Sequence, residues 1–218
     1  MLTFFYATEC FKELYPEHCE LYDILRERLD LSGISRHFIR TNSHFLSHTY
    51  NIGPQAEAKP HRDDKNLICG ICAIGVFGRF NHRLAGHLIL HEAKLVIELK
   101  PGDVIFIPSA AITHSNSPLR FGDIRMSHVQ YTAGALFRYK AQGDVTQKNM
   151  PPEDLAVLKH LGPQRFREAW SLFPTKAELE EVKRTGKMPE RVPNLRERIA
   201  SGDFTLLMPG MYATGQTH

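Results

Sequence analysis

The chain has little cysteine: 4 residues in 218. Cys10, Cys19, Cys69 and Cys72 are too few to staple a small disulfide scaffold. Cys69-Gly-Ile-Cys72 has the spacing of half a zinc or redox site, but no second pair completes it. It lies in the apolar run Leu67–Ile74, so both thiols are expected in the core. Long apolar runs are also missing. Nothing approaches the roughly 18 residues a membrane helix needs, and no signal-peptide pattern opens the chain. The expectation is a soluble intracellular protein. Neither sign of charge dominates: 27 Lys+Arg face 24 Asp+Glu, a formal net charge of +3. Residues 141–218 are nearly balanced, so they form no basic tail. Such a chain permits nucleic acid as a partner without demanding it. Internal repeats and low-complexity segments are absent.

What is present is enough apolar residue, 42%, for a real core in a single domain. The spacing of Phe11, Leu14, Tyr15, Leu21, Ile24, Leu25 and Leu29 predicts a helix over 8–30, ended at Ser32-Gly33. Strands are expected at 45–52, 67–77, 103–108, 112–116 and 124–132, with a hairpin of 87–90 and 94–99 around His91-Glu-Ala. Short helices follow at 155–160, 165–172, 176–184 and 196–200, punctuated by Gly162-Pro163 and Phe173-Pro174. The fold class is therefore mainly β with flanking helices (α+β). Its many short strands argue for a closed jelly-roll, a double-stranded β-helix barrel. One domain fills 1–218: helical support over about 1–44, barrel core over about 45–140 and a helical extension over about 141–218.

The stretch from His61 to Arg125 carries the chemistry. In an extended segment His61 and Asp63 share a face, and His114 arrives from a distant strand. Two imidazoles and one carboxylate on one face leave coordination positions open, the arrangement of non-haem Fe(II) oxygenases. His18-Cys19-Glu20 is a rival His-x-Glu, but in a helix residues two apart diverge by roughly 200°. Arg125-Met-Ser127 adds an anion site: on a strand both residues face the same way, the guanidinium offering a fork and the hydroxyl a further hydrogen bond. The inward set of that strand is Arg125, Ser127, Val129 and Tyr131. His128 has the opposite parity and faces away. His87 and His91 fall on the hairpin as surface or supporting residues, not ligands. Arg62, Arg79, His82 and Arg83 read either as phosphate contacts or as a solvated loop.

Taken together, these residues resemble the TET/J-binding-protein group of Fe(II)/2-oxoglutarate oxygenases, most closely a compact fungal-type branch. The resemblance runs from about Asn51 to Tyr139. It comprises Asn51-Ile-Gly-Pro, His61-Arg-Asp63 with Asn66, Gly86-His-Leu-Ile-Leu, Lys94-Leu-Val-Ile-Glu-Leu, Pro101-Gly-Asp, Pro108-Ser, His114-Ser-Asn-Ser-Pro118, Arg125-Met-Ser127, Gln130-Tyr131 and Gly134-Ala-Leu-Phe-Arg. It implies iron ligation by His61, Asp63 and His114, and 2-oxoglutarate held by Arg125 with Ser127. It also implies O2 as oxidant and a flipped methylated base hydrogen-bonded by Asn66 and stacked on Tyr131. Two departures stand out. Four scattered cysteines cannot build the cysteine-rich zinc region of the animal enzymes, which supplies a second oxoglutarate contact, and Arg40 is the candidate for that contact here. Ala133 also occupies the position of a base-contacting His.

The favoured expectation is thus a dioxygenase that hydroxylates a 5-methylcytosine-like base in DNA, with a nuclear location if DNA is the partner. The alternatives are the same iron chemistry on a small molecule or protein side chain, and a barrel that binds a ligand without catalysis. Asn66 could instead cap the turn after Asp63, and Tyr131 could be a core aromatic.

Overall fold

The computed structural model describes residues 2–31, 33 and 43–207, with side chains from Ala7 onward. Arg40 lies outside the described residues, as does Ser32. The chain divides into two compact units, Met1–Cys10 with Ile39–Ala133, and Phe11–Phe38 with Gly134–His218.

The first unit is built from antiparallel strands. They are β1 (Ser47–Asn51), β2 (Cys72–Arg79), β3 (Leu88–Leu90), β4 (Leu95–Ile97), β5 (Val104–Ile107), β6 (His114–Asn116) and β7 (Ile124–Tyr131). One sheet has the order β1-β7-β2-β5 and the other β4-β3-β6. Among the described residues these two sheets do not close into a barrel, so the expected jelly-roll reduces to a mixed α+β fold with two antiparallel sheets. Short strands explain the shortfall: three of the seven have only 3 residues, too few for a continuous ladder around a barrel.

Alternation along β2 sends Cys72, Ile74 and Val76 to one face. They cluster there with Leu88, Leu90, Leu99 and Ile107, and Val129 and Tyr131 pack against the cluster. Each side chain fully buried in such a cluster contributes about 1.5–3 kcal/mol relative to exposure. β2 starts five residues later than the sequence suggests. The segment from Leu67 turns first, with Gly70 N–H donating to the Leu67 carbonyl. Cys69 and Cys72 are buried thiols outside any disulfide, and burial pushes both up to about 12. At Gly78, opposite Arg125 in the β2–β7 ladder, φ is +120° and a Cβ would meet the Ile124 carbonyl oxygen at 2.1 Å. Only glycine lets the two strands approach there.

The second unit is helical. α1 (Leu2–Leu14) enters it at Phe11, and α2 (Pro16–Leu31) follows at once. The single helix expected over 8–30 is broken at Pro16, which lacks the N–H to continue it. α3 (Gly134–Ala141) was not foreseen. α4 (Pro152–His160), α5 (Gly162–Trp170), α6 (Lys176–Thr185) and α7 (Leu195–Ser201) match the expected segments within a few residues. α6 and α7 each begin with a capping box and end on a left-handed glycine, Gly186 and Gly202. Tyr22, Leu25, Leu29, Phe137, Leu172 and Leu195 are fully buried in this unit. No described helix is long and apolar enough to cross a membrane.

Candidate metal centre

His61 and His114 face each other as a hydrogen-bonded antiparallel pair. His61 N–H donates to the His114 carbonyl (3.1 Å) and His114 N–H to the His61 carbonyl (2.9 Å). The segment before His61 thereby extends the three-stranded sheet beyond β6, and Asn116 N–H donates to the Ala58 carbonyl. Asp63 N–H bonds to the Ser109 carbonyl at 3.1 Å, turning its side chain toward the two rings. The ligand atoms of His61, Asp63 and His114 all lie within 4.8 Å of one another.

The tautomers suit a metal. His61 Nδ1 lies 2.8 Å from the Lys59 carbonyl oxygen, and His114 Nδ1 lies 3.1 Å from that of Ile112. A carbonyl only accepts, so each Nδ1 carries the hydrogen and each Nε2 presents a lone pair. His61 Nε2 already faces Asp63 Oδ1 at 3.5 Å. Burial holds His114 below the ordinary histidine range, and the neighbouring His61 lowers it further. Two neutral imidazoles and one carboxylate form a donor set that fits a divalent transition metal with open positions.

These ligands line a cavity of about 560 Å³ that also includes Thr49, Asn51, Asn66, Arg125, Ser127 and Tyr131. β7 supplies the last three, its side chains alternating as its parity requires, while β1 places Asn51 opposite Ser127. Arg125 is only 3% exposed. One Nη donates to the Ala56 carbonyl, yet the buried Nε has no hydrogen-bond partner among the described residues. Burial lowers the guanidinium's pKa, with Glu57 opposing. A desolvated cation on the cavity wall, its charge not fully compensated, fits an anionic ligand such as a carboxylate.

Asn66 lines the same cavity, but its Nδ2 donates to Asp63 Oδ2 and to Ser109 Oγ, both at 3.3 Å. Its backbone also closes the turn to the Asp63 carbonyl at 2.9 Å. Tyr131 is half-buried against the apolar cluster and reaches the cavity wall. His128 turns to the opposite face, stacked between His48 and Tyr50. His87 and His91 bond Ser117 and Ser115.

Sequence reasoning missed Asn51 and Ser109. Asn51 donates to Ser127 Oγ at 2.9 Å, and Ser109 receives the Asn66 amide. Both stand inside the quoted motifs, but only strand register reveals their partners.

No family model and no curated protein matches this sequence. Solved structures do resemble it in part. NgTET1 in complex with 5mC DNA is 18% identical with a TM-score of 0.38, over 65% of this chain and 56% of that one. The viral collagen prolyl hydroxylase vCPH from Paramecium Bursaria Chlorella virus-1, in its 2OG complex, is 13% identical with a TM-score of 0.30, over 49% and 69%. An RmlC-like cupin protein from Desulfovibrio desulfuricans is 14% identical with a TM-score of 0.27, over 44% and 84%. This chain therefore spans little more than half of NgTET1. At these TM-scores the functional reading rests on the site's own geometry.

Proposed function

We propose that this protein is an Fe(II)/2-oxoglutarate-dependent dioxygenase that hydroxylates a methyl group on a flipped nucleobase, a 5-methylcytosine-like base in DNA. The observation that carries it is one cavity holding both the His61–Asp63–His114 donor set and the under-satisfied guanidinium of Arg125. His61 and His114 offer Nε2 to the metal, and Asp63 supplies the negative charge. Arg125 takes the far carboxylate of oxoglutarate through its fork, and Ser127 adds a hydroxyl. Iron and oxoglutarate, when bound with O2, supply oxidative decarboxylation to succinate and CO2 coupled to C–H hydroxylation. The chain's residues position these groups and keep the cavity floor apolar through Ile74, Leu88, Leu99 and Val129. A base reaches such a cavity only after flipping, which costs roughly a few kcal/mol, offset by stacking on Tyr131.

The test combines anaerobic iron titration, succinate release and mass spectrometry of methylated DNA oligomers. Oxoglutarate-dependent succinate with an oxidised base is expected, and Asp63→Ala should lose both metal and turnover. Turnover without any oxidised base removes the nucleobase; unchanged iron content in Asp63→Ala removes the triad.

A second reading, the same chemistry on a small molecule or protein side chain, is favoured by one observation. Both donor contacts of Asn66 go to Asp63 and Ser109, and Ala133 offers no polar side chain. Binding to duplex DNA should weaken steeply with salt, whereas salt-independent substrate binding supports this second reading.

A further inference from the structure

We propose that Glu92 is a positioning residue for the metal triad, acting through Arg62 and Thr113; this rests on the reading of His61, Asp63 and His114 as metal ligands. Arg62 is the residue between two of those ligands, and Thr113 immediately precedes the third. Glu92, in the turn between β3 and β4, grips both. Its Oε2 accepts from Thr113 N–H at 2.8 Å. Its Oε1 accepts from Thr113 Oγ1 at 2.6 Å and from an Arg62 Nη at 2.5 Å. Arg62 Nε closes the ring by donating to Thr113 Oγ1 at 3.1 Å.

This arrangement bridges three segments in succession: the β3 end, the residue that leads into β6, and the His61 segment. The β3–β6 ladder ends at Leu90 opposite His114, and His91 N–H still reaches the Thr113 carbonyl at 2.9 Å. Beyond that point Glu92 replaces the ladder. The backbone pair of His61 and His114, with Asn116 N–H on the Ala58 carbonyl and Asp63 N–H on the Ser109 carbonyl, fixes the strand register, but none of these bonds holds the Arg62 and Thr113 side chains that flank the ligands. The Glu92 carboxylate adds a side-chain attachment there and restrains the residues next to Asp63 and His114. Arg62 and Glu92 are substantially exposed, and exposed ion pairs add little to global stability. The value of this one is geometric, as for other groups that orient metal ligands from outside the coordination sphere. It also gives Arg62 a role within the protein, its Nε and one Nη donating to Thr113 and Glu92.

The experiment uses Co(II) as the probe on the full chain, with calorimetric titration, the visible spectrum of bound cobalt and thermal unfolding of the metal-free protein. Glu92→Ala should weaken Co(II) binding about 10- to 100-fold and alter the cobalt spectrum, with little change in the metal-free Tm. Glu92→Gln should fall between, because its amide oxygen still accepts from Thr113 while the charged bond to Arg62 is lost. Arg62→Ala combined with Glu92→Ala should be no worse than Glu92→Ala alone. Parent-like cobalt affinity and spectrum in both Glu92 variants overturn the proposal. Cobalt binding that survives Asp63→Ala unchanged overturns the triad itself, which is a separate and distinguishable failure.

Discussion

Arg125→Ala isolates the anion site from the metal site. In the structure Arg125 is 3% exposed, and its guanidinium donates to the Ala56 carbonyl and leaves its Nε without a partner among the described residues. The charge is therefore desolvated without full compensation, and a carboxylate entering the cavity regains what burial cost. Removing one partner of such a buried pair costs about 3–5 kcal/mol. At about 1.4 kcal/mol per decade, this corresponds to a loss of two to three and a half decades in oxoglutarate affinity. Among the described residues no hydrogen bond or ion pair joins Arg125 to His61, Asp63 or His114, so divalent metal affinity should hardly move. Arg125→Lys keeps the charge but loses the planar fork and should lie between parent and alanine. Ser127→Ala removes one hydrogen bond to the ligand's charged group, together with the one it accepts from Asn51, and should cost about 1–2 kcal/mol in oxoglutarate binding. The assay is anaerobic titration of oxoglutarate into Mn(II)-loaded protein, with metal affinity measured separately. Oxoglutarate binding within a few-fold of the parent in Arg125→Ala would falsify the assignment of this end of the cavity.

Gly86→Ala probes the same anion site indirectly. Gly86 has φ +71°, and a Cβ there would meet Arg125 Cδ and the Phe80 ring at 3.1 Å and Leu119 at 3.2 Å. The variant should lose oxoglutarate affinity while keeping metal, with a stability cost of at least about 1 kcal/mol from the left-handed backbone; thermal melts and titration check both. His128 gives a pH prediction. Burial, with His48 adding to it, lowers its pKa to about 4, below the ordinary value of 6.5. The unfolded chain then binds more protons in that window, so this contribution to stability is complete above about pH 6.5 and lost as the pH falls toward 4. His128→Phe keeps a ring between His48 and Tyr50 but cannot titrate, so chemical denaturation between pH 7 and 4 should show a shallower fall; an identical profile refutes it.

The legible parts of this molecule are those fixed by local periodicity. Alternation along 124–132 gave the face that carries Arg125, Ser127, Val129 and Tyr131, and all four side chains line the cavity. The glycines and prolines between helices marked the C-terminal segments within a few residues, and capping boxes at Thr175 and Asn194 start α6 and α7. What depends on pairing between distant segments was not legible. That β1 lies against β7 with Asn51 opposite Ser127 follows from register, and nothing in Asn51-Ile-Gly-Pro encodes its partner. Closure of the barrel was over-read for the same reason: strand count suggests closure, but strand length and edge pairing decide it. α3 was missed because Gly134 at its start reads as a breaker, although Phe137 and Ala141 bury the face that holds it. Glu92 falls in the expected hairpin turn His91-Glu-Ala, and only the approach of Thr113 and Arg62 gives it a role.

Asn66 is where resemblance and geometry pull apart. An amide has two N–H donors and one carbonyl acceptor. Here the nitrogen faces Asp63 Oδ2 and Ser109 Oγ, so its hydrogens have partners inside the protein. Oδ1 remains for a ligand and can only accept. A base edge that presents a donor, such as the exocyclic amine of cytosine or adenine, suits that oxygen, whereas the O4 edge of thymine does not. Asn66→Ala should then have two separable effects. Loss of the hydrogen bond to Asp63 should weaken metal binding on the order of tenfold, as loss of an outer-sphere partner does. Loss of the acceptor should erase any preference for amine-bearing bases over thymine-like ones. Ser109→Ala should produce a smaller metal effect, because Asp63 keeps its bond from Asn66, and should leave base preference intact. Competition between methylated cytosine and thymine oligomers, measured beside Co(II) titration of each variant, separates the two roles. If Asn66→Ala leaves metal affinity at the parent level but changes base preference, the amide serves the base alone and its bond to Asp63 is incidental.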